Sequence, residues 1–209
     1  MRTKGVLILL FLAAGPWLVA QQVEVQQEIL SNGMKLLIVE RPETPTITCG
    51  WVAKVGSVNE RPGITGISHL FEHMMFKGTE TIGVTDYEKA KAIQDRQDEI
   101  WAEVQEEYTA LRLKLLRGEI EGDLYSPENW TPRIKELRAE LQKLFEEEKQ
   151  YLVPTELDKI YTQEGASGLN AGTTPDQTIY MVTVPSNKLE LWFWLESDRL
   201  LNPVFREFY

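Results

Sequence analysis

Apolar and polar residues alternate in three segments near the start of the chain, which is typical of strands with one buried face. Ser31, Asn32 and Gly33 lie between the first two segments and favour a tight turn, so these two segments are expected to form a hairpin. The third segment ends at Gly56. The predicted strands span residues 23–30, 34–40 and 46–55.

A short apolar helix is predicted next, over residues 66–76. Thr65 is the predicted N-cap, and Gly78 follows the last turn, where glycine commonly ends a helix. Apolar side chains, Phe71 and Met74 among them, occupy much of the circumference. We therefore expect this helix to be buried on most of its sides.

A long charged segment without internal glycine or proline runs from Asp86 to Gly118 and predicts a helix about 45 Å long. Thr131 and Pro132 open a second helix, in the order preferred by an N-cap and a first-turn proline. Apolar residues recur at spacings of four and seven in the first segment. They recur at three and four in the second, where only Glu148 interrupts the repeat. The two segments are expected to form a helical hairpin.

The remainder of the chain predicts two more helices and a strand. A glycine-rich polar segment, residues 165–174, precedes the strand. The predicted elements are a short helix at 156–162, a strand at 177–184 and an apolar helix that begins at Pro185 and is closed by Pro203.

Composition narrows the possible partners. The 209 residues carry a formal net charge of -10, which argues against a nucleic-acid partner, because phosphates attract a basic surface.

The single cysteine, Cys49, cannot form a disulfide within the chain. The fold must therefore be stabilised by packing, with metal binding as a further possibility.

Residues 1–20 predict a secretory signal peptide that is cleaved after Ala20. Arg2 and Lys4 precede an apolar run, and small residues end that run before Gln21. The alternative is an uncleaved anchor, but the run is short for a bilayer, which needs about 20 apolar residues. We expect a secreted or periplasmic protein with no stable membrane anchor after cleavage, and a mature domain over residues 21–209.

The pentapeptide His69–His73, HLFEH, carries the candidate chemistry. On a helix, positions i and i+4 lie on one face, so both imidazoles can reach a single ion, and Glu72 borders that face. Imidazole is a common zinc ligand, and an unligated carboxylate can take the proton from a zinc-bound water. The order H-x-x-E-H is the inverted-zincin motif.

A packed pair of histidines is the alternative interpretation. The only two histidines of the chain lie here at ligand spacing, with a glutamate between them, which favours metal binding. The pentapeptide supplies no third protein ligand.

The longer segment His69–Thr79, HLFEHMMFKGT, resembles the zinc peptidases of the pitrilysin and insulinase family, which includes the mitochondrial processing peptidases. Similar stretches occur on both sides of it, at residues 31–34, 56–63, 169–173 and 196–200. The resemblance implies an α+β fold, in which an antiparallel or mixed sheet packs against helices, as in the N-terminal domain of a pitrilysin-like metallopeptidase.

The resemblance also implies a catalytic site. His69 and His73 would bind Zn2+, and Glu72 would be the general base of an endopeptidase that hydrolyses peptides or small proteins. The third ligand, a glutamate, is expected beyond Tyr209, so the chain is expected to be incomplete at its C-terminus and inactive alone. Asn170 and Ala171 would contact the substrate; for Asn170, a role as a turn or bulge residue is the alternative.

Two features differ from compact members of the family. The helical hairpin, residues 86–163, is expected to be an insertion, serving as a spacer or as a docking surface for another protein. The second homologous half or subunit that closes over the substrate is expected as a partner. A non-catalytic scaffold subunit of the same fold is the alternative function, although a scaffold would not require the two histidines and the glutamate.

Overall fold

The structure is a computed structural model that describes residues 23–207. The signal peptide predicted for residues 1–20 lies outside the described residues and stays a prediction. Residues 23–44 and residues 45–207 belong to two separate compact units. Within residues 23–207, every helix is too short or too polar to cross a membrane.

The first unit contains a two-stranded antiparallel hairpin. Strand β1 (Gln26–Ile29) pairs with strand β2 (Lys35–Ile38). The turn is closed by the Leu30 amide, which donates to the Met34 carbonyl at 2.8 Å, and Gly33 adopts a left-handed φ of 84° that favours glycine. The predicted hairpin is confirmed.

The second unit contains a three-stranded antiparallel sheet. Its strands are β3 (Thr46–Ala53), β4 (Ser167–Thr173) and β5 (Thr178–Pro185), in the spatial order β3-β5-β4. Strand β3 therefore pairs with a strand more than 120 residues later. Among the described strands, β3 and β4 form the two edges of this sheet.

Five α-helices surround or extend from the sheet among the described residues, and single 3-10 turns occur at Ser57–Asn59 and Ser186–Lys188. The mixture of helices with antiparallel sheets confirms the predicted α+β fold. The helices are α1 (Ile67–Met74), α2 (Tyr87–Leu116), α3 (Pro132–Glu148), α4 (Glu156–Gln163) and α5 (Leu189–Leu201).

The sheet and the hairpin of α2 and α3 have separate hydrophobic cores. One face of β3 and β5 packs with α4 and α5, while α2 and α3 bury their own apolar stripe against each other. The first core contains Cys49, Ile82, Leu157, Tyr161, Val182, Val184 and Leu195. The second contains Ile100, Val104, Tyr108, Leu111, Leu124, Ile134, Leu137 and Leu141.

Glu148 does not break the hairpin, although it interrupts the apolar repeat of α3. Its carboxylate is buried and accepts hydrogen bonds from the side-chain amides of Gln94, at 2.7 Å, and Gln97, at 2.9 Å. Both glutamines belong to α2, so the polar position forms an interhelical contact with both oxygens satisfied.

A buried ion pair links α5 to the sheet and to the end of α1. Arg199 Nη1 lies 2.9 Å from both carboxylate oxygens of Glu196, and the two residues are 1% and 5% exposed. Glu196 also accepts hydrogen bonds from Trp51 Nε1 at 2.7 Å and from the Tyr161 hydroxyl at 2.6 Å. Arg199 Nε donates to the Met75 carbonyl at 3.1 Å.

The expectation that α1 is buried on most sides is wrong. Met74 and Met75 are buried, but Ile67, Leu70 and Phe71 are 43%, 38% and 47% exposed among the described residues. The apolar side chains of α1 are therefore divided between a face that packs against the domain and a face that is accessible to solvent. A pattern of residue types does not reveal which part of an apolar helix has a partner.

Replacing Glu196 with glutamine is predicted to destabilise the protein strongly. The substitution leaves the Arg199 charge buried without its counter-ion, which costs about 3–5 kcal/mol in the free energy of unfolding. Urea unfolding, followed by circular dichroism, measures the change.

The matched control is Glu99→Gln, which removes an exposed carboxylate that pairs with Arg96 at the same i, i+3 spacing. Exposed pairs contribute about 1 kcal/mol or less, so this variant should unfold close to wild type. Equal losses in the two variants would contradict the structural role given to the buried pair.

Cys49 is predicted to be unreactive in the native protein. Burial, assisted by the nearby Glu196 carboxylate, raises the pKa of its thiol to about 11, so the nucleophilic thiolate is scarce at pH 8. Labelling with a disulfide reagent should be slow in buffer and fast in denaturant. Rapid labelling of the folded protein at pH 8 would show that Cys49 is accessible and contradict its place in the core.

Candidate active site

The segment that leads into α1 is fixed against the turn between β4 and β5. The Ser57 and Val58 amides donate to the carbonyls of Thr174 and Pro175, at 3.3 Å and 3.0 Å. A side chain at Gly56 would come within 2.1 Å of the Thr174 carbonyl oxygen, so this approach requires glycine. The start of α1 is thereby held beside the end of β4.

Glu60 caps the N-terminus of α1. Its carboxylate accepts hydrogen bonds from the Gly66 amide at 2.6 Å and from the Ser68 amide at 2.9 Å. These bonds, the Ser68 amide foremost, lower the pKa of the Glu60 carboxyl. The prediction that Thr65 is the N-cap is wrong: the cap position is Gly66, with a left-handed φ of 91°, and the acceptor comes from six residues upstream.

His69 and His73 converge on the same point. Their Nε2 atoms are 3.0 Å apart, their ring centroids are 4.6 Å apart, and both side chains are exposed. Two ring nitrogens approach this closely only when a proton or a cation lies between them, because their lone pairs repel. The predicted i and i+4 geometry is present on α1.

The pair fits zinc chemically. Two nitrogens bound to one ion at about 2.0–2.1 Å each can be no more than about 4.2 Å apart, and the observed separation satisfies this limit. Within residues 23–207, no three or more His, Cys, Asp and Glu side chains come close enough to share a metal ion. Glu196 pairs with Arg199, and Glu207 pairs with Lys77 at 2.7 Å, so neither glutamate joins the histidines.

Glu72 has a different environment from the histidines on either side of it. Its side chain is 7% exposed, and its Oε2 atom accepts a hydrogen bond from the Thr173 hydroxyl. Burial raises the pKa of Tyr180 to about 12; the Glu72 and Glu196 carboxylates add to this effect and Arg199 opposes it. The tyrosine is therefore a neutral phenol at physiological pH.

The C-terminal end of α1 is held by Arg199. Besides its bond to the Met75 carbonyl, the guanidinium carbon lies 4.8 Å from the Phe76 ring centroid and 5.3 Å from that of Tyr180. A cation at this end complements the helix dipole, as the Glu60 carboxylate does at the other. Both ends of α1 are thus fixed by charged side chains.

An open cleft of about 420 Å³ lies between α1 and the end of β4. Ala171, one of the two predicted substrate contacts, lines it together with the candidate ligand His69 and the carboxylate of Glu72. Asn170 does not line the cleft; its side-chain oxygen accepts a hydrogen bond from the Ala171 amide at 2.9 Å. The complete lining is Ser57, Glu60, Gly66, His69, Glu72, Ala171, Gly172, Thr173, Thr174 and Pro175.

Sequence reasoning missed three side chains that contact or support this site, namely Glu60, Thr173 and Arg199. Thr173 and Arg199 lie 101 and 124 residues from the atoms they bind on or beside α1. No local pattern indicates such contacts. Glu60 is near in sequence, but its capping role depends on the turn at residues 61–66.

A sequence model of the insulinase family, peptidase family M16, matches residues 35–131, which include α1 and α2. Over these residues the chain is similar to the insulinase family. An uncharacterized zinc protease of Rickettsia bellii is 46% identical over 52 residues, 25% of this chain and 13% of the relative. A zinc protease of Bacillus subtilis is 28% identical over 137 residues, 61% of this chain and 32% of the relative.

Human insulin-degrading enzyme is 39% identical over 51 residues, 24% of this chain and 5% of that enzyme. The chain thus spans a third or less of the length of these relatives. A protease from Helicobacter pylori has a similar fold, with a TM-score of 0.52 and 19% identity, covering 89% of this chain and 28% of that protein.

Replacing Glu60 with glutamine is predicted to loosen the start of α1. An amide has one acceptor oxygen where the carboxylate has two, so either the Gly66 or the Ser68 amide loses its partner. Hydrogen exchange, read by mass spectrometry, should become faster in peptides that cover residues 66–68. Exchange within α3 in the same samples is the internal control, and unchanged exchange at 66–68 would contradict the capping role.

Proposed function

We propose that this chain carries the catalytic helix of a zinc-dependent endopeptidase that hydrolyses peptides or small proteins. The observation that supports this most directly is the convergence of two imidazole nitrogens, 3.0 Å apart, beside a buried carboxylate that lines an open cleft. The relatives named zinc protease and insulin-degrading enzyme support the same chemistry.

His69 and His73 are the proposed zinc ligands, each through Nε2. Zinc supplies Lewis acidity, which polarises a carbonyl group and acidifies water. Catalytic zinc sites usually have three protein ligands, so a further ligand, proposed to be a glutamate, would come from outside residues 23–207. The two exposed rings leave room for it.

Glu72 is the proposed general base. Its Oε2 atom accepts a hydrogen bond from the Thr173 hydroxyl, and the carboxylate keeps further lone pairs with which it would take the proton from the attacking water and pass it to the leaving amine. The buried position of Glu72 keeps this carboxylate from rotating freely in solvent. The histidines and the base thus have separate roles on one helix.

The substrate is proposed to be an extended peptide that binds along β4. Because β4 lies at an edge among the described strands, its unpaired backbone groups can form hydrogen bonds with an added strand. Ala171 lines the cleft, and Asn170, the residue before it, is proposed to contact the same peptide. A second homologous half or subunit is proposed to complete the cleft. The protein is further proposed to be secreted or periplasmic, because residues 1–20 have the sequence pattern of a signal peptide.

Glu72→Gln is predicted to abolish peptide hydrolysis without loss of zinc. Removal of a general base costs about 100-fold or more in kcat, whereas the histidines keep their ligand atoms. The measurement uses the full-length natural protein, a library of unstructured synthetic peptides read by mass spectrometry, and metal analysis after dialysis.

His73→Ala is the comparison, because it removes a proposed ligand and should lose both zinc and hydrolysis. Hydrolysis by Glu72→Gln at the wild-type rate would contradict the role of the base. Wild-type metal content in His73→Ala would contradict its assignment as a ligand. Absence of both hydrolysis and zinc in the wild-type protein would instead support a non-catalytic scaffold.

A further inference from the structure

Thr173 lies at the junction between the candidate base and the candidate substrate strand. It is the last residue of β4, and its hydroxyl donates a hydrogen bond to Glu72 Oε2. The two residues come from different elements, so the bond joins α1 to the edge of the sheet. Thr173 also lines the cleft.

The position of Thr173 is fixed by the backbone around it. Thr173 lies opposite Thr178 on β5, and the intervening turn is closed by the Thr174 amide, which donates to the Gln177 carbonyl at 2.8 Å. The Thr178 hydroxyl donates to the Val55 carbonyl at 2.9 Å and so fastens this end of the sheet to the segment after β3. A β-branched side chain on such a strand has few rotamers, and the hydroxyl is therefore aimed consistently at Glu72.

The hydrogen bond restricts the base in a specific way. A hydroxyl carries one proton, and Thr173 gives its proton to Oε2, so this oxygen of the Glu72 carboxylate is held toward the end of β4. Tyr180, whose pKa is raised first by burial and further by the Glu72 carboxylate, is opposite Ala171 in the adjacent strand.

We propose that Thr173 is a positioning residue, whose hydroxyl orients the Glu72 carboxylate relative to a peptide bound along the edge of β4. The inference rests on the proposed function, because it assumes that Glu72 is the base. A peptide that pairs with β4 is aligned by the same strand that aligns the base. Thr173 therefore links the register in which the peptide pairs with β4 to the orientation of the Glu72 carboxylate that transfers the proton.

The test compares three substitutions in the full-length natural protein. Thr173→Val keeps the shape and removes the hydroxyl, and it should lower kcat about tenfold or more while KM and zinc content stay at wild-type values. Thr173→Ser keeps the hydroxyl and should retain kcat. Thr183→Val removes a hydroxyl at the other end of the β4–β5 pair, where it bonds to Thr48 at 3.0 Å, and should leave kcat at the wild-type value.

A readout independent of turnover is the crystal structure of Thr173→Val, in which the Glu72 carboxylate should rotate away from its wild-type orientation. Thr173→Ala serves the same purpose if the valine variant does not fold. Wild-type kcat in the variants that lack the hydroxyl, or equal impairment of Thr173→Ser, would overturn the proposal. Wild-type hydrolysis by Glu72→Gln would instead overturn the proposed function, so the two failures are distinguishable.

Discussion

The hydrogen bond from Arg199 to the Met75 carbonyl is the contact on which the geometry of the site depends. Helix α1 has only eight residues, and a helix of that length is unstable by itself in water. Arg199 is held in turn by the buried carboxylate of Glu196, which also binds Trp51 and Tyr161. The orientation of α1 is therefore set by the core of the sheet at one end and by Glu60 at the other.

The way α1 is held explains why His69 and His73 are exposed while Glu72, in the same pentapeptide, is buried. A fixed helix places His69 and His73 on an accessible face, where an ion and further ligands can reach them, and places Glu72 against the end of β4. A carboxylate held by Thr173 is kept apart from the imidazole nitrogens of the two histidines. The separation of the proposed ligands from the proposed base thus follows from how α1 is docked, and the spacing of the residues alone does not produce it.

The features that could be predicted from sequence depend on residues close together in the chain. Hairpin turns, the stripe of α2 and α3, and the i, i+4 histidines are of this kind, and the structure contains each of them. The pairing of β3 with β5, the buried ion pair and the Thr173–Glu72 bond join residues that are far apart, so no local period indicates them. The cap at Glu60 and the exposure of Phe71 could not be predicted because both depend on tertiary packing.

The most direct test is a crystal structure of the full-length natural protein grown with zinc, with anomalous diffraction recorded at the zinc edge. We expect one peak between the Nε2 atoms of His69 and His73, with Glu72 bonded to Thr173 and outside the ligand set. A peak at another site, or Glu72 bound directly to the ion, would contradict the division of roles on α1.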